Sequence, residues 1–165
     1  MKLMTALMLS LTSCLSVPAA EGQNVITYAE TEHNRFEVFD FRIGWFSTGG
    51  SAILAAPPGT TEFGGPLDLC KDSDYHCFTS GLHLAVPKTG SPRAWSVGRM
   101  DCSVLDGPSI STDNLVRVRC RRGNIGSVEF SYSRERGVVS YRRLCSDCYL
   151  GEFRLISERG LFADP

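Results

Sequence analysis

Helical periodicity is what this sequence most lacks. After the first twenty residues, no window of a dozen residues sustains apolar positions at i, i+3 and i+4, which argues against a helical bundle or an alternating α/β fold. Long hydrophobic runs are missing too: no later segment approaches 18 uncharged apolar residues, so no transmembrane helix is expected there. Net charge is small, at −1, which leaves no whole-protein field to draw nucleic acid. Lysine is scarce, with three residues against fourteen arginines.

Chemical signatures are equally sparse. The three histidines, His33, His76 and His83, show none of the H-x-H, H-E-x-x-H or H-x3-H spacings that place two imidazoles on one metal. No G-x-S-x-G is present, and Gly49-Gly50-Ser51 and Gly64-Gly65-Pro66 lack the trailing Lys-Ser/Thr of a phosphate loop. Neither a metal nor a cofactor is therefore expected.

What is present describes an ordinary globular chain of 165 residues, 42% hydrophobic and 21% charged. Its composition rules out disorder and fits one domain. Residues 1–20 read as an export signal: Lys2 precedes an apolar stretch from Leu3 to Leu11, and Val17-Pro18-Ala19-Ala20 offers a small-residue cleavage site. Within it, Leu11-Thr12-Ser13-Cys14 matches the lipobox pattern, whose cysteine becomes lipidated. The sequence thus allows a released product or, through Cys14, a lipid-anchored one. Residues 21–34 read as a leader or a first short strand, and 35–165 as a single domain. The expected location is periplasmic or extracellular.

Six cysteines remain for the folded body: Cys70, Cys77, Cys102, Cys120, Cys145 and Cys148. In an exported chain an even count implies disulfides. Six cysteines admit about 15 connectivities, and proximity favours Cys70–Cys77, Cys102–Cys120 and Cys145–Cys148. The Cys145-Ser-Asp-Cys148 spacing also suits a thiol–disulfide motif. It falls between strand-like runs, however, and not at the helix start that lowers a redox thiol's pKa.

Alternating segments predict strands. Arg35–Phe46 carries Phe39, Phe41, Ile43 and Trp45 on one parity and reads as one long strand with a bulge near Val38-Phe39. Leu82, Leu84 and Val86 alternate with His83 and Ala85, which places His83 toward solvent. Leu115–Cys120, Ser127–Ser133 and Val138–Tyr141 alternate clearly. Arg134-Glu135-Arg136-Gly137 closes a hairpin, and Ser157-Glu158-Arg159-Gly160-Leu161 resembles a second turn of that kind. The fold class is all-β: one antiparallel sandwich or small barrel stapled by disulfides.

Charge is distributed unevenly. Residues 21–98 hold nine acids and five bases, whereas residues 99–165 hold nine acids and eleven bases, all arginine. If Arg117 and Arg119 share a sheet face with Arg142 or Arg154, a cationic stripe results, suited to phosphate or carboxylate groups. The competing reading pairs these arginines with Glu129, Glu135, Glu152 and Glu158 across strands. The sequence thus points to an exported β-domain of the bacterial type that binds a protein or an anionic envelope component. Nucleic acid is not expected as a partner, and membrane attachment only through Cys14. The alternatives are a small hydrolase with a site between Asp72 and His83, and a thiol–disulfide protein using Cys145 and Cys148.

Overall fold

The computed structural model describes residues 24–55, 64–72, 74–79, 82–107, 109–110, 113–144 and 151–164. Among them the short alternating runs become twelve strands. These are β1 (Val25–Glu30), β2 (Arg35–Asp40), β3 (Trp45–Gly50), β4 (Gly64–Pro66), β5 (Tyr75–Phe78) and β6 (Leu84–Pro87). They continue with β7 (Ala94–Val97), β8 (Met100–Asp106), β9 (Val116–Arg122), β10 (Gly126–Ser133), β11 (Gly137–Leu144) and β12 (Phe153–Leu155). One 3-10 turn, Ser51–Leu54, follows β3.

Ten strands form one antiparallel sheet in the order β4-β3-β2-β1-β12-β11-β10-β9-β8-β7. The order is two meanders, β1 to β4 and β7 to β12, joined where β1 pairs with β12. The remaining hairpin, β5–β6, forms its own two-stranded sheet and packs on the inner face. Its contacts reach both wings of the large sheet. Phe78 meets Phe39 of β2 at 5.7 Å between ring centroids, and Trp95 of β7 donates its indole N–H to the Ala85 carbonyl at 3.2 Å. The sheet therefore curls around the hairpin, and the core lies between them.

Register places Val104, Val118, Phe130, Tyr141 and Phe153 opposite one another along a single row crossing five strands. All five are buried, so this row is the backbone of the core, and odd-even alternation sends Arg117, Arg119 and Arg121 to the other face. Cys102 and Cys120 face each other across β8 and β9, with a Cα separation of 4.0 Å. Cys70 and Cys77 are 5.4 Å apart at the start of the inner hairpin. Both are disulfides, as proximity suggested. In the chain-entropy account, loops of these lengths contribute about 2.5–3 kcal/mol each. Cys145 and Cys148 lie outside the described residues, as does Cys14.

Several expectations change. The segment 35–46 is not one strand with a bulge but two strands and a tight turn. Asp40 accepts the Arg42 amide at 3.0 Å and pairs with its guanidinium, and Gly44 takes φ +64°, a conformation that costs glycine little. The register from β1 through β3 is unbroken; bulges fall instead at Ser131/Tyr132 and Val104/Asp106. On the inner hairpin, alternation fails for a physical reason: Leu84, Ala85, Val86 and Pro87 are all buried, because packed structure covers both sides of β6.

Nor is Ser157–Leu161 a second hairpin turn. The segment folds back along the β10–β11 turn: Gly160 N–H donates to Arg136 O at 2.8 Å and Val138 N–H to Leu161 O at 2.8 Å. Gly160 fits because any Cβ there would sit 1.9 Å from the Val138 carbonyl oxygen. The 134–137 hairpin turn is present, and Gly137 adopts φ +70°. Of residues 21–34, Val25–Glu30 form a strand with β2 on one side and β12 on the other.

Candidate functional site: the arginine face

Consecutive strand pairings put two polar rows on the outer face. One runs Asp106, Arg117, Ser131, Ser140, Arg154; the next runs Ser103, Arg119, Glu129, Arg142. The four arginines singled out from sequence therefore share one face. With strands about 4.8 Å apart, Arg119 and Arg142 stand two spacings apart across Glu129, and Arg117 and Arg154 three spacings apart.

Each of the four meets a carboxylate. Arg117 Nε donates to Asp106 at 2.6 Å, and Arg154 Nη2 to Glu152 at 2.9 Å. Glu129 takes both its neighbours, Arg119 on Oε1 and Arg142 on Oε2, through Nε and Nη2 of each. Glu129 is 5% exposed. Burial pushes its carboxyl up, but the hydrogen bonds and charges of Arg119 and Arg142 outweigh this and hold it below the usual range. Glu152 behaves alike, with burial opposed by bonds from Arg154 and Ser140. The cross-strand pairing is thus present at Glu129, alongside the shared face; Arg154 instead takes Glu152 two residues back on its own segment.

Chemically, the pairs hold the guanidinium planes in place while leaving them accessible. Arg119 and Arg142 are each 47% exposed at the side chain, Arg117 55% and Arg154 73%. A guanidinium has five N–H donors, and a bond through Nε and Nη2 occupies two of them. Between the arginines lies a depression of about 270 Å³, bounded by Arg117, Glu129, Ser131, Ser140, Arg142 and Glu152. Such a surface offers fixed guanidinium donors beside hydroxyls, the donor set that suits oxyanions.

No family model, curated protein or solved structure matches this chain. Its chemistry must therefore be read from its own side chains.

The Asp72–His83 segment does not assemble a hydrolytic pair among the described residues. Asp72 accepts the Asp74 amide at 2.8 Å, and its carbonyl takes Lys88 Nζ at 2.9 Å. The His76 ring stacks on Phe162 at 5.4 Å. His83, expected toward solvent, is half-buried and accepts Arg122 Nη1 at 3.3 Å. Burial first, then the nearby cations Lys88 and Arg122 respectively, lower both imidazoles below their ordinary value. Neither histidine hydrogen-bonds a carboxylate among the described residues. The thiol–disulfide pair Cys145 and Cys148 cannot be placed, since both lie outside the described residues.

Glu30, Glu32 and His33 bring one ligand atom each within 4.8 Å of one another. There the buried Glu30 carboxylate accepts the Glu32 and His33 amides at 2.8 and 3.0 Å, which closes the β1–β2 turn.

Sequence reading missed a second charged cluster. Glu37 of β2, 2% exposed, accepts Arg143 Nη1 at 2.7 Å and Nη2 at 3.0 Å, and also the Tyr141 hydroxyl. The Arg143 guanidinium lies 5.6 and 5.8 Å from the ring centroids of Tyr141 and Phe153. Burial opposes its charge, yet Glu37 keeps it cationic. A signal existed in the sequence: Glu37 shares parity with Phe39, and Arg143 with Tyr141, so each charge falls on a core position.

Proposed function

We propose that this protein is an exported, non-catalytic binding domain that engages an anionic component of the cell envelope through the outer face of β9 to β12. The observation carrying this reading is the convergence of Arg117, Arg119, Arg142 and Arg154 on two adjacent rows of one face, where Arg117 and Arg142 line one depression. Two disulfides suit the oxidising compartment that an exported protein meets. Among the described residues no helix is long and apolar enough to cross a membrane.

The carboxylates on this face set what it can hold. They neutralise much of the arginine charge, so affinity comes from oriented donors at fixed spacing more than from net potential. A partner presenting oxyanions together with hydroxyls matches guanidinium, carboxylate and serine groups at once. Co-sedimentation with isolated envelope fractions tests the proposal. Arg117→Glu/Arg119→Glu is expected to abolish binding. Arg117→Gln/Arg154→Gln, which leaves the Glu129 pairs in place, is expected to weaken it and flatten its salt dependence. Unchanged binding by both folded variants would refute the assignment.

A further inference from the structure

Away from the arginine face, one surface depression sets aromatic rings beside a cation. It lies between the start of β1, the β2–β3 turn, β5 and the C-terminal segment. It is an open depression of about 380 Å³, lined chiefly by Ile26, Phe41, His76, Arg159 and Phe162. That volume lies within the usual range for small-molecule sites and suits a compact ligand of one or two rings.

Phe162 is its unusual member. Its φ of +63° is a conformation that bulky residues rarely take. The surroundings enforce it: Leu161 N–H donates to the Tyr28 hydroxyl at 2.9 Å, the Tyr132 hydroxyl donates to Phe162 O at 3.2 Å, and Asp164 N–H donates to Arg134 O at 2.7 Å. The backbone so held sets the ring almost parallel to His76, 13° between planes, and 5.1 Å from Phe78. Phe41 meets Phe78 at 6.4 Å. Burial and the neighbouring Lys88 favour the neutral imidazole, so His76 stacks as an uncharged ring. Around this aromatic wall the charges are mostly positive. Arg159 lines the depression while its Nε and Nη2 donate to Glu135 O at 3.4 Å, and Lys88 and Arg134 act on His76 against a single acid, Asp164.

We infer that this cavity is a second binding site, separate from the arginine face, for a planar aromatic carboxylate. The ligand's ring would pack against Phe162 and Phe41, its carboxylate facing Arg159. The positive φ at Phe162 fixes its ring in the wall of the depression before a ligand arrives. Aromatic contact supplies the affinity and the cation supplies the preference for an acid over a neutral analogue.

Isothermal titration of the full oxidised protein with 2-naphthoate and with 2-naphthamide tests the inference. The acid is expected to bind saturably, about five-fold more tightly than the amide at low salt. Arg159→Gln should erase that preference. Phe162→Gly, which also suits the positive φ, and Phe41→Ala should each weaken the acid about ten-fold, with near-ultraviolet circular dichroism reporting that the fold persists. Arg117→Glu/Arg119→Glu should leave this binding unchanged, which separates the site from the arginine face. Absence of saturable binding, equal affinity for acid and amide, or full affinity in both folded aromatic variants would each overturn it.

Discussion

Replacing Glu37 with leucine removes a carboxylate that three donors share and keeps the side-chain volume close to the original. Two of those donors belong to Arg143, whose side chain is 24% exposed, and the third is the Tyr141 hydroxyl on a residue 1% exposed. Removing one partner of a buried pair costs about 3–5 kcal/mol, because the other charge stays buried without compensation. Partial exposure and the aromatic rings beside Arg143 place the expected cost at the lower end, about 3 kcal/mol. At about 2–4 °C per kcal/mol for a chain of this size, Tm should fall by roughly 6–12 °C. The decisive comparison is Glu37→Leu/Arg143→Met. With both charges gone only the Tyr141 hydroxyl is left without its acceptor, and stability should return to within about 1–3 kcal/mol of the parent. Urea unfolding of the oxidised protein, followed by tryptophan fluorescence and circular dichroism in parallel, supplies the four corners of the cycle. Additive losses in the double variant would refute the reasoning, since they would mean that carboxylate and guanidinium are not coupled.

Two further predictions concern pH and glycine. His76 and His83 are held below their ordinary value by burial, Asp40 by its hydrogen bond from Arg42, and Glu129 by its two arginines, whose bonds outweigh its burial. A depressed folded pKa contributes stability that is complete above the unfolded value and is lost as pH falls through the folded one. The urea midpoint should therefore be flat from about pH 6.5 to about pH 9, decline first as the histidines protonate, and drop further below about pH 4. His76→Phe/His83→Gln should remove the first decline only, and a midpoint that rises between pH 7 and 5 would contradict the assignment. Gly160→Ala forces a Cβ to 1.9 Å from the Val138 carbonyl, whereas a Cβ at Gly44 meets nothing within 4 Å. The first substitution should cost more than about 3 kcal/mol, against about 1 kcal/mol of left-handed strain for Gly44→Ala. Equal midpoints for the two variants would refute the close packing at Gly160.

Strand identity was readable where one face of a strand meets the core and the other meets water. Val116, Val118 and Cys120 alternate with Arg117, Arg119 and Arg121 for that reason. Period two also fixed the side each strand's arginines take, but their common face needed the pairing of β9 through β12. Two segments resisted because alternation carries no information about where a strand stops or what covers it. Phe41 and Ile43 continue the parity of Phe39 straight through a turn that Asp40 and Gly44 impose. In β6, packing on both sides buried every residue, so Ala85 could not be assigned by parity, nor could the half-buried His83 just before the strand.

By itself the sequence determined an all-β chain, the short cysteine spacings that favoured Cys70–Cys77 and Cys102–Cys120, and the parity of the arginines within each strand. All of these rest on local spacing. Tertiary structure alone decided the rest, because the deciding contacts join residues far apart in the chain. Glu37 meets Arg143 across 106 positions, and Arg134 reaches Lys88 across 46 to tether the inner hairpin. Phe162 meets His76 only because the C-terminal segment folds back along β11. Pairing between distant strands is set by which register buries the most apolar surface and satisfies every charge, and that balance exists only once the whole sheet has formed.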